Sequence, residues 1–294
     1  MGSNNKEKFR YSISEYIPIS NFTTIGLFDI TYEYSKKSAF DDFIDKRTSL
    51  FSLLKPYESK IDEVPAELTN MILLGCISAV ESYVRKIIRS IINVDDFSRK
   101  NCEGQILRYG AVLVHQDKTM LPEALLEEYS FASGWNIKDI IDKFLGIKFG
   151  NSEPFNTVFK EFSIICQLRH CVVHRFGFLG SKNAIELGLS EHKQFLEKPI
   201  QIDFDHLNEI VQVCENLVKV INNHLFCEVL ERTFLSNTEI WYFDYRRDKK
   251  TFKKYLDVFK DSSSSDDCKD IYKKFILSMK NNYGREYQTN RLSC

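Results

Sequence analysis

From Pro65 onward the apolar positions fall into helical register. Leu68, Met71, Ile72, Ile77, Val80, Val84, Ile87, Ile88 and Ile91 recur at the spacing of one helix face. That pattern predicts an amphipathic helix of about seven turns opening near Pro65. The period returns in Phe155, Val158, Phe159, Phe162, Ile165, Leu168 and Val172. Here Ser152 suits the cap, Pro154 is tolerated in the first turn, and Gly177 and Gly180 end the run. A third stripe runs Leu207, Ile210, Val211, Cys214, Leu217, Val218, Ile221, Leu225, Val229 and Leu230, behind a capping Asp203. Three long helices near 65–92, 152–176 and 204–232 predict a bundle.

Shorter elements surround them. Residues 38–54 read as a helix ended by Pro56, and 136–145 as another, with Ile137, Ile140, Ile141, Phe144 and Leu145 on one side. Between 95 and 134 the pattern is irregular, as for short helices with loops. Residues 22–34, rich in Thr, Ile, Phe and Tyr, read as a strand or hairpin. The period also drops towards two in 184–189 and 199–202, which predicts a small β-hairpin. Ser262–Ser265 reads as a linker and 266–279 as a last helix. The expected fold is mainly α: a helical domain over 64–235 with a β-hairpin insertion, an accessory segment over 1–63, and a basic, aromatic segment with a final helix over 236–294.

Composition narrows the class. Hydrophobic residues make up 43% and charged residues 28% of 294, a globular balance rather than a disordered one. The eight cysteines (Cys76, Cys102, Cys166, Cys171, Cys214, Cys227, Cys268 and Cys294) form no CxxC pair, and several sit in apolar runs. That usage fits a reducing compartment. No apolar h-region follows Met1, position 6 is Lys where a myristoylation signal needs Ser or Thr, and no apolar run reaches a membrane span. A cytoplasmic protein with no membrane partner is expected.

Net charge is −1, so attraction for phosphate has to be local. The strongest basic run is Arg246, Arg247, Lys249, Lys250, Lys253 and Lys254, broken by Asp248 and interleaved with Phe252. Cations attract phosphate and aromatics stack on bases, so the run suits RNA. It reads equally as a solvated helix face or a docking face.

The chemistry-bearing stretch is Leu168-Arg169-His170-Cys171-Val172-Val173-His174-Arg175. Three polar side chains interrupt an apolar helix within six positions, and burying them without partners is unfavourable. An imidazole titrates near neutrality and can take or give a proton. A guanidinium can hold a phosphate with two prongs and offset charge building on it. The rival role for all three is a hydrogen-bonded polar cluster where helices meet. A second rival is zinc: Cys166, His170 and His174 lie one turn apart in succession, but three turns are too long for one tetrahedral ion, and a His170/His174 site needs ligands from elsewhere. No P-loop, GxGxxG, HExxH, GxSxG or EF-hand loop is present.

Arg169 and His174, separated by four residues, resemble the R-x4–6-H signature of the HEPN superfamily of ribonucleases, in which a polar residue follows the Arg; His170 stands in that place. Glu81-Ser82-Tyr83-Val84-Arg85, on the earlier helix, resembles the charged pair that often faces the motif. The resemblance spans roughly 65–235. It implies a metal-independent endoribonuclease with no cofactor, in which His174 is acid/base, Arg169 clamps the phosphate, His170 supports them, and Glu81 and Arg85 stand behind. It also implies a homodimer or higher homo-oligomer with the motifs facing each other, a 2′,3′-cyclic phosphate product, and a toxin or antiviral-defence role with an antitoxin or regulatory protein as a further partner. Arg175 extends the phosphate surface or is a solvated helix-end charge. The alternative of another class is a non-catalytic HEPN-like module that binds a nucleotide, an RNA or a protein.

Geometry adds one condition. On a straight helix Arg169 and His174 point about 140° apart. They act together only if the arginine curls round, the helix is distorted, or a second chain supplies the complement.

Overall fold

The computed structural model describes residues 11–17, 22–60, 63–115, 118–236 and 241–291, with side chains to 283. Residues 1–6, on which the expectations about a leader and lipidation rest, and Cys294 lie outside the described residues. In order, the helices are α1 (Ala39–Ser52), α2 (Ala66–Val94), α3 (Asp96–Cys102), α4 (Tyr109–Val114), α5 (Leu121–Leu126), α6 (Gly134–Leu145), α7 (Glu153–Arg175), α8 (Ser181–His192), α9 (Phe204–Leu235), α10 (Tyr245–Phe259) and α11 (Cys268–Arg291). The protein is mainly α, as the periodicity indicates.

α2 is the axis. Its 29 residues bury side chains on nearly every side, among them Ile72, Leu73, Ile77, Val80, Tyr83, Val84, Ile87, Ile88 and Ile91. A helix apolar all round has to be enclosed, and α1, α5, α6, α7, α9 and α10 all pack on it. α9 lies alongside, its Asp203 side chain accepting the His206 N–H at 2.8 Å as the expected cap. Tyr83 of α2 donates to Asn222 of α9 at 3.2 Å, and Asn222 donates to the Phe259 carbonyl of α10 at 2.9 Å. This buried chain ties three elements together.

α6 begins where it does because of one close approach. A Cβ at Gly134 would stand 2.2 Å from the Phe159 carbonyl oxygen of α7, so only glycine lets the helices meet there. The Gly134 N–H donates to Ser163 Oγ at 3.0 Å, which fixes α6 against α7.

Two compact units divide the chain, Met1–Lys36 and Lys37–Cys294. In the first, the strand or hairpin expected over 22–34 is absent among the described residues. A single 3-10 turn, Ile25–Leu27, stands there, and Phe22, Ile25, Phe28, Ile30 and Tyr32 are exposed. β-forming side chains without a partner strand have nothing to bury against. In the second unit, α1, α10 and α11 share one hydrophobic core with the three long helices. Ser38 caps α1 by accepting the Asp41 N–H at 3.0 Å.

The β-hairpin expected at 184–189 and 199–202 is also corrected. Residues 184–189 belong to α8, interrupted by Gly188 at φ 104. Alternation misled because Ile185 and Leu189 are exposed rather than aligned on a buried face, while Asn183 and Ala184 turn inward. The second stretch does pair, but with the chain after α7. Phe178 and Pro199 form an isolated antiparallel bridge, and the Ile200 N–H reaches the Gly177 carbonyl at 2.9 Å.

Candidate functional site on the C-terminal third of α7

α7 changes character along its length. Phe159, Phe162, Ile165 and Cys166 are buried, whereas from Leu168 on only Cys171 is, and Val173, His174 and Arg175 are exposed. The helix closes on a left-handed residue, Phe176 (φ 52), with the Gly177 N–H bonded to the Cys171 carbonyl at 3.0 Å. A glycine is the usual occupant of that left-handed position. Here it is a phenylalanine whose ring is 81% exposed. Gly177 follows at φ 92, and a Cβ on it would stand 3.2 Å from Ile200 and 3.6 Å from the Asn70 amide nitrogen of α2. The end of α7 therefore meets the start of α2, and the two helices run antiparallel.

That register sets Glu81 of α2 beside Arg169. The two interact electrostatically, yet no ion pair closes between them among the described residues. Burial pushes the Glu81 carboxyl above its ordinary range, against the pull of Arg169 and Arg85. Burial likewise pushes the Cys166 thiol beneath them up to about 12, so it stays protonated and unreactive. His170 is half-buried, and its ring centroid lies 5.9 Å from that of His174. Its proton affinity is lowered first by burial, then by Arg169, His174 and Lys182.

His170 and His174 thus share one side of α7's exposed end, with Arg169 beside His170 and Glu81 behind Arg169. Other expected members are committed elsewhere. Arg85 pairs with Glu123 at 3.3 Å, donates to the Tyr129 carbonyl, and lies over the Phe131 ring. Arg175 folds over Gly180 and pairs with Glu197 at 2.5 Å. For the zinc alternative, no third His, Cys, Asp or Glu joins the histidine pair as a ligand among the described residues.

All six cations of the basic run project from α10, which buries Asp248, Phe252, Tyr255, Val258 and Phe259. Asp248, the acidic break in the run, is an internal acceptor for Tyr272 Oη at 2.6 Å and the Tyr242 N–H at 3.0 Å. Lys253 pairs with Asp257, and Arg247 stacks on Tyr242. Arg246, Lys249 and Lys250 enter no ion pair among the described residues. α10 packs on α1, α2, α9 and α11, so within one chain its cations are not brought to the α7 motif.

Lys182 escapes a reading of 184–189 as a strand, because only the helical turn that opens α8 brings it to this site. The usable signal was Gly180-Ser181 ahead of an Asn183/Ala184 pair, a helix opening. In the fold, Asn183 donates to Gln167 Oε1 at 3.0 Å and pins the first turn of α8 against α7.

These residues can bind and polarise an anion and exchange a proton with it. No family model matches the chain, and neither a curated protein nor a solved structure does, so what the site can do is argued from its own side chains.

Proposed function

We propose that the protein is a metal-independent endoribonuclease of HEPN type that acts as a homodimer on RNA. One observation carries the reading: a guanidinium and two imidazoles lie together on the exposed end of one helix, with the Arg169 guanidinium outside any ion pair among the described residues and Glu81 behind it. An imidazole takes the proton of a 2′-hydroxyl as its oxygen bonds to the adjacent phosphorus. The P–O5′ bond breaks and the leaving oxygen gains a proton, leaving a 2′,3′-cyclic phosphate and a 5′-hydroxyl. Arg169 offsets the extra negative charge at phosphorus. His174, being exposed, is the residue for proton transfer, and His170 the support.

Support for a second copy comes from the surroundings. Val173 (46% exposed) and Phe176 (81%) flank His174 on α7. Apolar groups at the rim of a polar motif favour contact with another chain, and a facing motif supplies the group that Arg169 and His174 cannot bring together on one straight helix. α10 offers a second phosphate-attracting surface through Arg246, Lys249 and Lys250. The setting as a toxin or antiviral effector, held by an antitoxin or regulatory protein in the cytoplasm, rests on family likeness alone.

The test is RNA cleavage in excess EDTA. Wild type is expected to cut, and His174→Ala to lose about 100-fold or more, as for a proton-transfer group, with fold and dimer intact. Undiminished cutting by Arg169→Ala and His174→Ala sinks the assignment. The second reading, a module that holds RNA or a nucleotide without cutting it, is favoured by the unbroken helix through 153–175, which keeps Arg169 and His174 apart. It requires binding without cleavage.

A further inference from the structure

The first turn of α8 brings Lys182 to the exposed end of α7. Arg169 and Lys182 enter no ion pair among the described residues, and His170 and His174 lie beside them. Glu81, the carboxylate beside Arg169, is pushed by burial towards its neutral form. Lys182 is held in place by its neighbour, since Asn183 donates to Gln167 Oε1 at 3.0 Å and Gln167 precedes His170 by less than one turn. Lys182 is close enough to disfavour protonation of His170. Cations gathered without counter-charge repel one another, and an anion placed among them relieves the repulsion.

We propose that Lys182 is a phosphate-binding residue of this surface, contacting the phosphodiester backbone of the nucleic acid next to Arg169. The inference rests on the ribonuclease reading for the identity of the ligand, but concerns binding rather than cutting. Lys182 acts on charge from the first turn of α8, while Arg169 supplies the two-pronged hold from α7. Together they hold the strand where the first turn of α8 meets α7.

The probe is a single-stranded oligonucleotide with 2′-deoxyribose throughout, which has no attacking hydroxyl and so reports binding alone. Lys182→Ala is expected to weaken its binding about tenfold, the size of one charge-assisted hydrogen bond. It should also reduce the slope of log affinity against log salt by about 0.7, the single-strand value for one phosphate contact. Lys182→Arg should keep most of the affinity. Lys160→Ala, an equal loss of charge at an exposed position nearer the start of α7, should leave binding and slope nearly unchanged. No binding by wild type, equal binding by Lys182→Ala, or equal weakening by Lys160→Ala overturns the proposal. Cleavage is read separately on the ribo-oligonucleotide. An uncut RNA with Lys182-dependent binding overturns the enzyme alone, and a cut RNA with Lys182-independent binding overturns this inference alone.

Discussion

Glu81 and Arg169 face each other across the antiparallel contact of α2 and α7 without closing into an ion pair, and burial raises the affinity of Glu81 for a proton despite the guanidinium beside it. Burial therefore outweighs attraction at this pair. The carboxylate steers the arginine without neutralising it, so the guanidinium keeps donors for an incoming group.

Glu81→Gln tests that balance through stability. The folded carboxyl binds its proton more tightly than the unfolded one, whose ordinary value is 4.5. Its favourable contribution is therefore present below pH 4.5 and lost as pH rises through the raised folded value. Glu81→Gln should match wild type in thermal unfolding near pH 4 and gain on it towards pH 7. Loss of the steering charge should at the same time lower RNA cleavage. A variant equally destabilised at both values would contradict the sign.

His170 titrates in the opposite sense. Its folded proton affinity lies below the ordinary 6.5, with burial the largest cause and Arg169, His174 and Lys182 adding to it; Glu81 is the nearby carboxylate across the helix contact. Its contribution to stability is thus present above pH 6.5 and lost as pH falls through the depressed value. Arg169→Gln removes one repelling charge. The His170 midpoint, followed by imidazole proton resonances, should rise in that variant without reaching 6.5, because burial remains. A midpoint that stays put would show that Arg169 does not face the ring.

The long helices were legible because their burial is periodic. α2, α7 and α9 each carry an apolar stripe over many turns, and Asp203 caps α9 as its residue type implies. α8 was not legible. Twelve residues broken at Gly188 (φ 104) give too few regular turns to separate a period of 3.6 from one of two, and the exposed Ile185 blurs the pattern further. Residues 22–34 misled for a different reason: strand propensity describes packing against a partner, and the sequence does not say whether one exists. At the site, the spacing of Arg169, His170 and His174 on one helix could be read directly. Lys182 could not, since its nearness depends on how α8 folds back, and the commitment of Arg175 to Glu197 arises from a loop contact 22 residues away.

Away from the site, Arg232 of α9 secures the junction of α2 and α3. It pairs with Asp95 at 2.5 Å, donates to Ser98 Oγ and to the Leu145 carbonyl, and lies over the Phe97 ring. Asp95 is only 1% exposed. Arg232→Ala strands that carboxylate, so a loss of about 3–5 kcal/mol is expected in denaturant unfolding. Arg232→Ala combined with Asp95→Asn should recover part of it. If Arg232→Ala alone costs less than about 1 kcal/mol, comparable to an exposed pair, the junction is not held this way.

Phe176 separates the stability of one chain from its association. Its left-handed backbone is unfavourable for a residue with a Cβ by about 1 kcal/mol, and glycine relieves that. The ring, 81% exposed, contributes little to the fold of a single chain. Phe176→Gly should therefore leave the isolated chain as stable as wild type or slightly more so. If two copies meet at the end of α7, the same change removes an apolar anchor from their interface, and sedimentation should show the dimer shifting towards monomer at concentrations where wild type stays associated. Cleavage should fall with the dimer and recover as protein concentration rises, which distinguishes lost association from a damaged catalytic group. A variant that is less stable as a monomer, or that dimerises as wild type does, would place the interface elsewhere.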